Sequence, residues 1–172
     1  IKILKNNCYE KELSIDEDYR STKNTSLERF LSPPDESSNF IFNKFFRKIT
    51  KDKKETLKTL KVKGRSILIE NFYDGVVKFE FEELCNKNLG SEDYIKIAEN
   101  CKFILIKNLP DFNENNSNQQ QRFITLIDVI YDKNIPLAVT AEQNIDQFTS
   151  SRLLEKPFKR TISRLYELTS IN

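Results

Sequence analysis

The chain has 172 residues, 31% of them charged, with 28 Lys and Arg against 26 Asp and Glu and no histidine. That length suits one ordinary domain or two small ones, and no window approaches the run of about 18 apolar residues a membrane helix needs, so no membrane span is expected. A net charge of +2 gives no whole-chain argument for nucleic acid, and without histidine or a C-x-x-C pair, zinc sites and imidazole acid/base chemistry are excluded.

In chain order, Ile1-Lys-Ile-Leu-Lys5 reads as the last turn of a helix that begins earlier, so the chain is expected to be a piece of something longer. Tyr9 to Ile15 reads as a strand, and the Ser, Thr, Asn and Pro around Pro33-Pro34 as a linker. Residues 1–20 are therefore expected to belong to a preceding unit, 21–39 to a linker and 40–172 to a C-terminal α/β domain.

Ser38 or Asn39 is the expected cap of a helix from about Phe40 to Lys51, with Ile41, Phe45, Phe46 and Ile49 as its apolar stripe. Thr56 to Val62, Ser66 to Glu70 and Val76 to Phe81 read as strands joined at Lys63-Gly64 and at Asp74-Gly75, an antiparallel meander of three. Lys44 to Arg65 holds ten Lys and Arg against only Asp52 and Glu55. That segment is either a solvated face or a site for an anionic partner.

Glu82 to Asn86 is a predicted helical turn closed by Gly90, and Ser91 opens a helix through Asn100 with Tyr94, Ile97, Ala98 and Cys101 on one face. Lys102 to Lys107 and Ile135 to Thr140 are nearly continuous apolar runs, the pattern of buried strands. Between them Phe123, Leu126, Ile127, Ile130 and Tyr131 recur at helical spacing, with Ser117 as the expected cap. Strand, helix and strand make one crossover unit, whose functional edge is the carboxyl end of its strands, at Lys107 to Asp111 and Thr140 to Gln143. A final helix is predicted from Phe158 to Leu168. The fold class expected is α/β: a β-meander with flanking helices, a parallel strand-helix-strand unit and a C-terminal helix.

Three cysteines without paired spacing, Cys8, Cys85 and Cys101, suggest buried thiols in a reducing compartment. Only Gly64, Gly75 and Gly90 exist, and none sits in a G-x-x-x-x-G-K-[ST] loop, so this chain alone does not cradle ATP in the usual way. The carboxylates nearest the functional edge are Glu142, a site residue or a structural cap or ion-pair partner, and Asp128, read as a surface or interface charge. Arg160 and Arg164, one turn apart, have the spacing at which two guanidinium groups converge on an anion, or pair with Glu142 or Glu167.

Phe79-Glu-Phe-Glu-Glu-Leu-Cys85, Leu89-Gly-Ser-Glu-Asp-Tyr94, Arg122-Phe-Ile-Thr-Leu-Ile-Asp128 with Tyr131-Asp132, Thr140-Ala-Glu142, and Arg160-Thr-Ile-Ser-Arg-Leu165 with Glu167 stand in an order that resembles the C-terminal part of the ZapE/Afg-like ATPases. These are P-loop, AAA-related proteins of bacteria and mitochondria. The likeness also takes in Ile3-Leu-Lys-Asn-Asn-Cys8 and Asp18-Tyr-Arg20. It implies ATP and Mg as cofactors of the complete protein, hydrolysed in cell division or in quality control of membrane proteins. The family's phosphate loop, Walker B acids, sensor asparagine and arginine finger precede the residue that matches Ile1, so this chain alone is expected to bind no cofactor and to be inactive.

The resemblance further implies a missing N-terminal ATPase core as partner, a cell-division or inner-membrane protein as a second, a homo-oligomer in the complete protein, and a bacterial cytoplasmic location, peripheral at the inner membrane. Arg160, Arg164 and Glu142 are the candidate nucleotide-adjacent residues. Two departures stand out: Lys107-Asn108-Leu109-Pro110 replaces an acidic residue before V-P, and Thr140-Ala-Glu142 replaces S-A-E. The strand, helix, strand, loop and arginine order also suggests a degenerate internal duplication of the ATPase half. The competing expectation is a stand-alone or split-gene module that binds a protein or an anionic surface through the basic segment.

Overall fold

A computed structural model describes residues 29–170. The strand expected at Tyr9 to Ile15, the helix end at Ile1 to Lys5 and Cys8 lie outside the described residues. The strands are β1 (Phe30–Leu31), β2 (Thr56–Val62), β3 (Arg65–Tyr73), β4 (Val76–Glu80), β5 (Phe103–Leu109) and β6 (Leu137–Ala141). The helices are α1 (Glu36–Thr50), α2 (Phe81–Cys85), α3 (Ser91–Glu99), α4 (Ser117–Asp132) and α5 (Glu155–Thr169). One six-stranded sheet runs in the order β1-β6-β5-β4-β3-β2. Its first three pairings are parallel and its last two antiparallel, so the α/β class, the meander, the crossover unit and the closing helix are all present.

The meander is made by its turns. Lys63-Gly64 (φ 45° and 82°) and Asp74-Gly75 (φ 47° and 88°) both take the doubly left-handed geometry that matches the twist of a tight hairpin. Leu60, Val62 and Ile69 then fall on the buried side while Thr59, Lys61 and Leu68 face out.

β4 has a second neighbour. Beyond its antiparallel pairing with β3 it pairs in parallel with β5, from Val76↔Phe103 to Glu80↔Lys107. The segment through α2 and α3 is thus a crossover in its own right, preceding the one expected through α4. The stretch expected as a linker contributes β1, hydrogen-bonded to β6, and the start of α1.

Four local expectations are corrected. α1 starts at Glu36, because the carboxylate of Asp35 accepts from the Ser38 N–H at 2.7 Å and caps it there. Its inward stripe is Phe42, Phe45, Phe46 and Ile49, and Ile41 is exposed. Gly90 does not stop α2. It is the extended residue before α3, its N–H held by Asp93 Oδ2 at 2.8 Å, and α2 ends at Cys85 with Asn86 as its C-cap. Ser117 is the first residue of α4, and Asn116 is the residue before it.

The sheet separates two cores. On one side Ile104, Ile106, Leu137, Val139, Val77 and Phe79 meet α2 to α5 in the larger core, which holds a cluster of Phe81, Phe112, Phe123, Phe148 and Phe158. On the other, Leu105, Ala138 and Val76 meet only α1. Alternation along β4, along β5 as far as Ile106 and along β6 produces this division, which is why the sequences of β5 and β6 read as nearly continuous apolar runs.

Candidate functional site

The carboxyl edge of the parallel strands gathers polar side chains from three of them. Glu80 ends β4 and lies opposite Lys107 in the register. Its Oε1 is 3.4 Å from the Lys107 ammonium, and its Oε2 accepts from Asn108 Nδ2 at 2.8 Å. Asn108 takes φ 57°, a left-handed conformation that asparagine tolerates better than most residues, at an irregularity where β5 uses Ile106 and Leu109 against Val139 and Ala141 of β6. The Asn108 N–H donates to the hydroxyl of buried Thr140 at 3.0 Å. The bulge therefore fixes the amide of Asn108 beside Glu80.

Lys78 lies on the α1 side of β4, its ammonium 4.5 Å from the centre of the Phe46 ring. Burial, and then the charge of Lys107, push its pKa below the ordinary lysine value. Two lysines thus stand beside one carboxylate at the end of β4, a group that pairs charges and sets no base beside a nucleophile.

Glu142 stands farther along the same edge. Its N–H donates to the Leu109 carbonyl at 2.9 Å and its Oε2 accepts from the Asp111 N–H at 3.0 Å, so it joins the loops after β5 and β6. Asp111 in turn accepts from the Thr149 N–H at 2.8 Å and hydroxyl at 2.9 Å. These bonds order the rim.

Arg160 and Arg164 do converge, and the group that both guanidiniums reach is Asp128. Arg160 Nη2 lies 2.9 Å from Asp128 Oδ2, and Arg164 Nη1 bonds to Oδ1. Arg164 also stacks 4.6 Å above the Tyr131 ring, whose hydroxyl donates to Glu167 at 3.0 Å. Asp128, expected as a surface or interface charge, is the pivot of the α4–α5 contact, and the arginines are brought together with it and not at the Glu142 rim. Arg164 is 18% exposed and Arg160 57%, so the first is a packed group and the second an accessible one.

A cleft of about 640 Å³ opens between α5 and the loop after β6, lined by Phe148, Phe158, Ile162, Tyr166, Asp146 and Lys159 among others. The Tyr166 hydroxyl donates to Asp146, and burial with that carboxylate raises the phenol above its usual range. Cys85 and Cys101 are buried, as expected; burial raises both thiols, Cys101 to about 12, so neither is a thiolate near neutral pH.

Sequence reasoning missed the Glu80, Lys107 and Asn108 group, because the first lies 27 residues before the second and they meet only through the parallel pairing of β4 and β5. The available signal was a charged residue at the end of each strand. Among the described residues no helix is long and apolar enough to cross a membrane.

A family model for the AFG1-like ATPases matches residues 1–172. Cell division protein ZapE of Escherichia coli (strain K12) is 24% identical over 170 residues, which are 99% of this chain and 45% of that protein. Lactation elevated protein 1 homolog B of Danio rerio is 26% identical, over 86% of this chain and 30% of its own length. The uncharacterized protein C115.02c of Schizosaccharomyces pombe is 25% identical, over 86% of this chain and 33% of its own length. The chain thus spans less than half the length of the curated relatives it matches, and no solved structure matches it. By the match along its whole length, this chain belongs to the AFG1-like ATPase family.

Proposed function

We propose that the chain is the C-terminal part of a ZapE/Afg-like ATPase, which with its N-terminal ATPase core binds and hydrolyses ATP with Mg. The observation that carries this reading is the family match over residues 1–172 of a chain with no phosphate loop. Gly64 and Gly75 occupy hairpin turns and Gly90 precedes α3 without the Lys-Ser/Thr that phosphate binding requires, so these residues do not fit a nucleotide cradle. ATP and Mg belong to the preceding core, and this part supplies a rigid scaffold.

Within that scaffold, Arg160 is the residue offered to a neighbouring unit or nucleotide, Arg164 and Asp128 set its position, and Glu142 orders the rim. A homo-oligomer is the arrangement in which such an arginine acts across subunits. The work served is cell division or quality control of membrane proteins, with a cell-division or inner-membrane protein as the client.

The test is phosphate release by the complete gene product, with its ATPase core, and by residues 1–172 alone. The complete protein should turn over ATP with Mg, and the chain alone should not, since phosphoryl transfer needs positioned backbone donors, a lysine and a Mg-binding acid. Arg160→Lys should lower turnover in the complete protein while leaving its melting temperature unchanged. Mg-dependent turnover by residues 1–172 alone would sink the division of labour, and full turnover by Arg160→Lys would sink the role of that arginine.

A further inference from the structure

The two faces of the sheet are unequally covered, and the side of α1 presents a group of exposed cations that make no ion pair among the described residues. α1 lies across β3 to β6 through Phe42, Phe45, Phe46 and Ile49 and stops short of the outer meander. On the same side of the sheet, Leu57 on β2 is 65% exposed and Leu68 on β3 50%. The outer surface of α1 presents Phe40, 68% exposed, and Ile41, 47%. Four large apolar side chains therefore stand in water on one side of the molecule.

Cations surround them. Lys44, Arg47, Lys48, Lys51, Lys54 and Lys61 are all exposed, and none makes an ion pair among the described residues. The basic side chains of other surfaces are often engaged: Lys63 with Glu92, Arg65 with Asp93, Lys102 with Asp74, Lys107 with Glu80. The facing acids are Glu36 at the start of α1, Asp52 and Glu55 in the loop after it, and Glu70 on β3. They are outnumbered, while the chain outside Lys44 to Arg65 is net acidic. This side therefore holds a local excess of exposed positive charge.

We propose that the outer face of α1 and the bare face of β2–β3 form a docking surface for an anionic lipid bilayer. Charge complementarity draws the surface to acidic headgroups, which attract clustered Lys and Arg within about 10 Å at 0.1 M salt. Phe40, Ile41, Leu57 and Leu68 then enter the boundary between headgroups and acyl chains, as apolar side chains of interfacial helices do. Lysine and arginine stems reach over these side chains with their charges outward. A single-stranded nucleic acid would call for several exposed aromatic platforms, and here Phe40 is the one large exposed aromatic among the described residues. The surface is separate from Arg160, Asp128 and the carboxyl edge, so it stands whether or not the ATPase assignment does.

The test is co-sedimentation of the full 172-residue chain with vesicles of phosphatidylcholine alone or of phosphatidylcholine mixed with phosphatidylglycerol. Binding should need the anionic lipid. Replacing Lys44, Lys48 and Lys51 together by Gln should weaken it by roughly 100-fold, the effect of three charges at such a surface. Lys87, Lys133 and Lys156 replaced by Gln on other faces should leave it unchanged. Phe40→Ser with Leu57→Ser should weaken what binding persists at high salt, and thermal melts should confirm that each variant is folded. No preference for anionic vesicles, equal loss with the two lysine triples, or native binding by the apolar double variant would each overturn the bilayer assignment. So would binding confined to an oligonucleotide of about 30 bases or to a polyglutamate peptide, which would transfer the surface to another partner class.

Discussion

The two sides of the sheet use similar residues to opposite effect. On the side of α2 to α5, Phe112 is fully buried and touches four other phenylalanines at ring separations from 5.3 to 6.3 Å. On the side of α1, Phe42 and Phe46 are buried but Phe40 stands two residues from one of them in solvent. The first side is closed and carries the stability. The second is closed only where α1 lies, and its remainder is free for contact. The difference teaches where to look for function: not in the packed aromatic cluster, but in side chains that the fold neither buries nor pairs.

The largest effect is expected from Phe112→Ala, which removes the centre of the aromatic cluster and should cost about 3 to 5 kcal/mol in a denaturant titration. A smaller loss than that of Phe46→Ala would break the comparison, since Phe46 belongs to the thinner core.

Next come the two hairpin glycines, which share a left-handed backbone but not their surroundings. A Cβ at Gly75 would stand 2.9 Å from Lys102 Cγ and 3.3 Å from its backbone nitrogen, whereas at Gly64 nothing lies within 4 Å. Gly75→Val should therefore cost about 2 to 4 kcal/mol, backbone strain plus displacement of Lys102, and Gly64→Ala about 1 kcal/mol, strain alone. Equal midpoints for the two would mean that the contact with Lys102 is slack.

Smaller again is the ion triplet. A double-mutant cycle on Asp128→Ala and Arg164→Ala should give a coupling of about 1 kcal/mol, with Arg160 coupled less because it is more exposed. A stronger coupling for Arg160 would reverse the assignment of packed and accessible arginines. The smallest effect belongs to the bare meander face: Leu57→Ser and Leu68→Ser should each change stability by less than about 0.5 kcal/mol. A larger loss from either would show that the face is already covered.

Much of this architecture was legible because its signals are local. Thr56 to Val62 is rich in β-forming residues and is followed by a two-residue turn, and the α4 stripe repeats at helical spacing between two apolar runs, so both units are read correctly. What escaped depends on partners far away in the chain. Asp74-Gly75 announces the antiparallel neighbour of β4 but carries no information about its other edge, where β5 lies in parallel. The Glu80 and Lys107 pair was hidden by the same omission. The spacing of Arg160 and Arg164 allows them to converge, but their shared partner depends on the packing of α5 on α4, which no spacing within α5 encodes. Glycine precedes helices as well as following them, and at Gly90 the Asp93 carboxylate decides which.

The position of β1 has a consequence for how the chain acquires this form. Its two residues pair with Val139 and Thr140, and the neighbouring Arg29 side chain hydrogen-bonds the carbonyls of Thr169 and Ser170. The first described strand thus waits for the last, across more than a hundred intervening residues, before its side of the sheet can close. Contacts of such sequence separation are slow to form because a long loop must close before any of them is made. During synthesis the meander and α1 can assemble early, whereas the β1 edge closes only once β6 has been made.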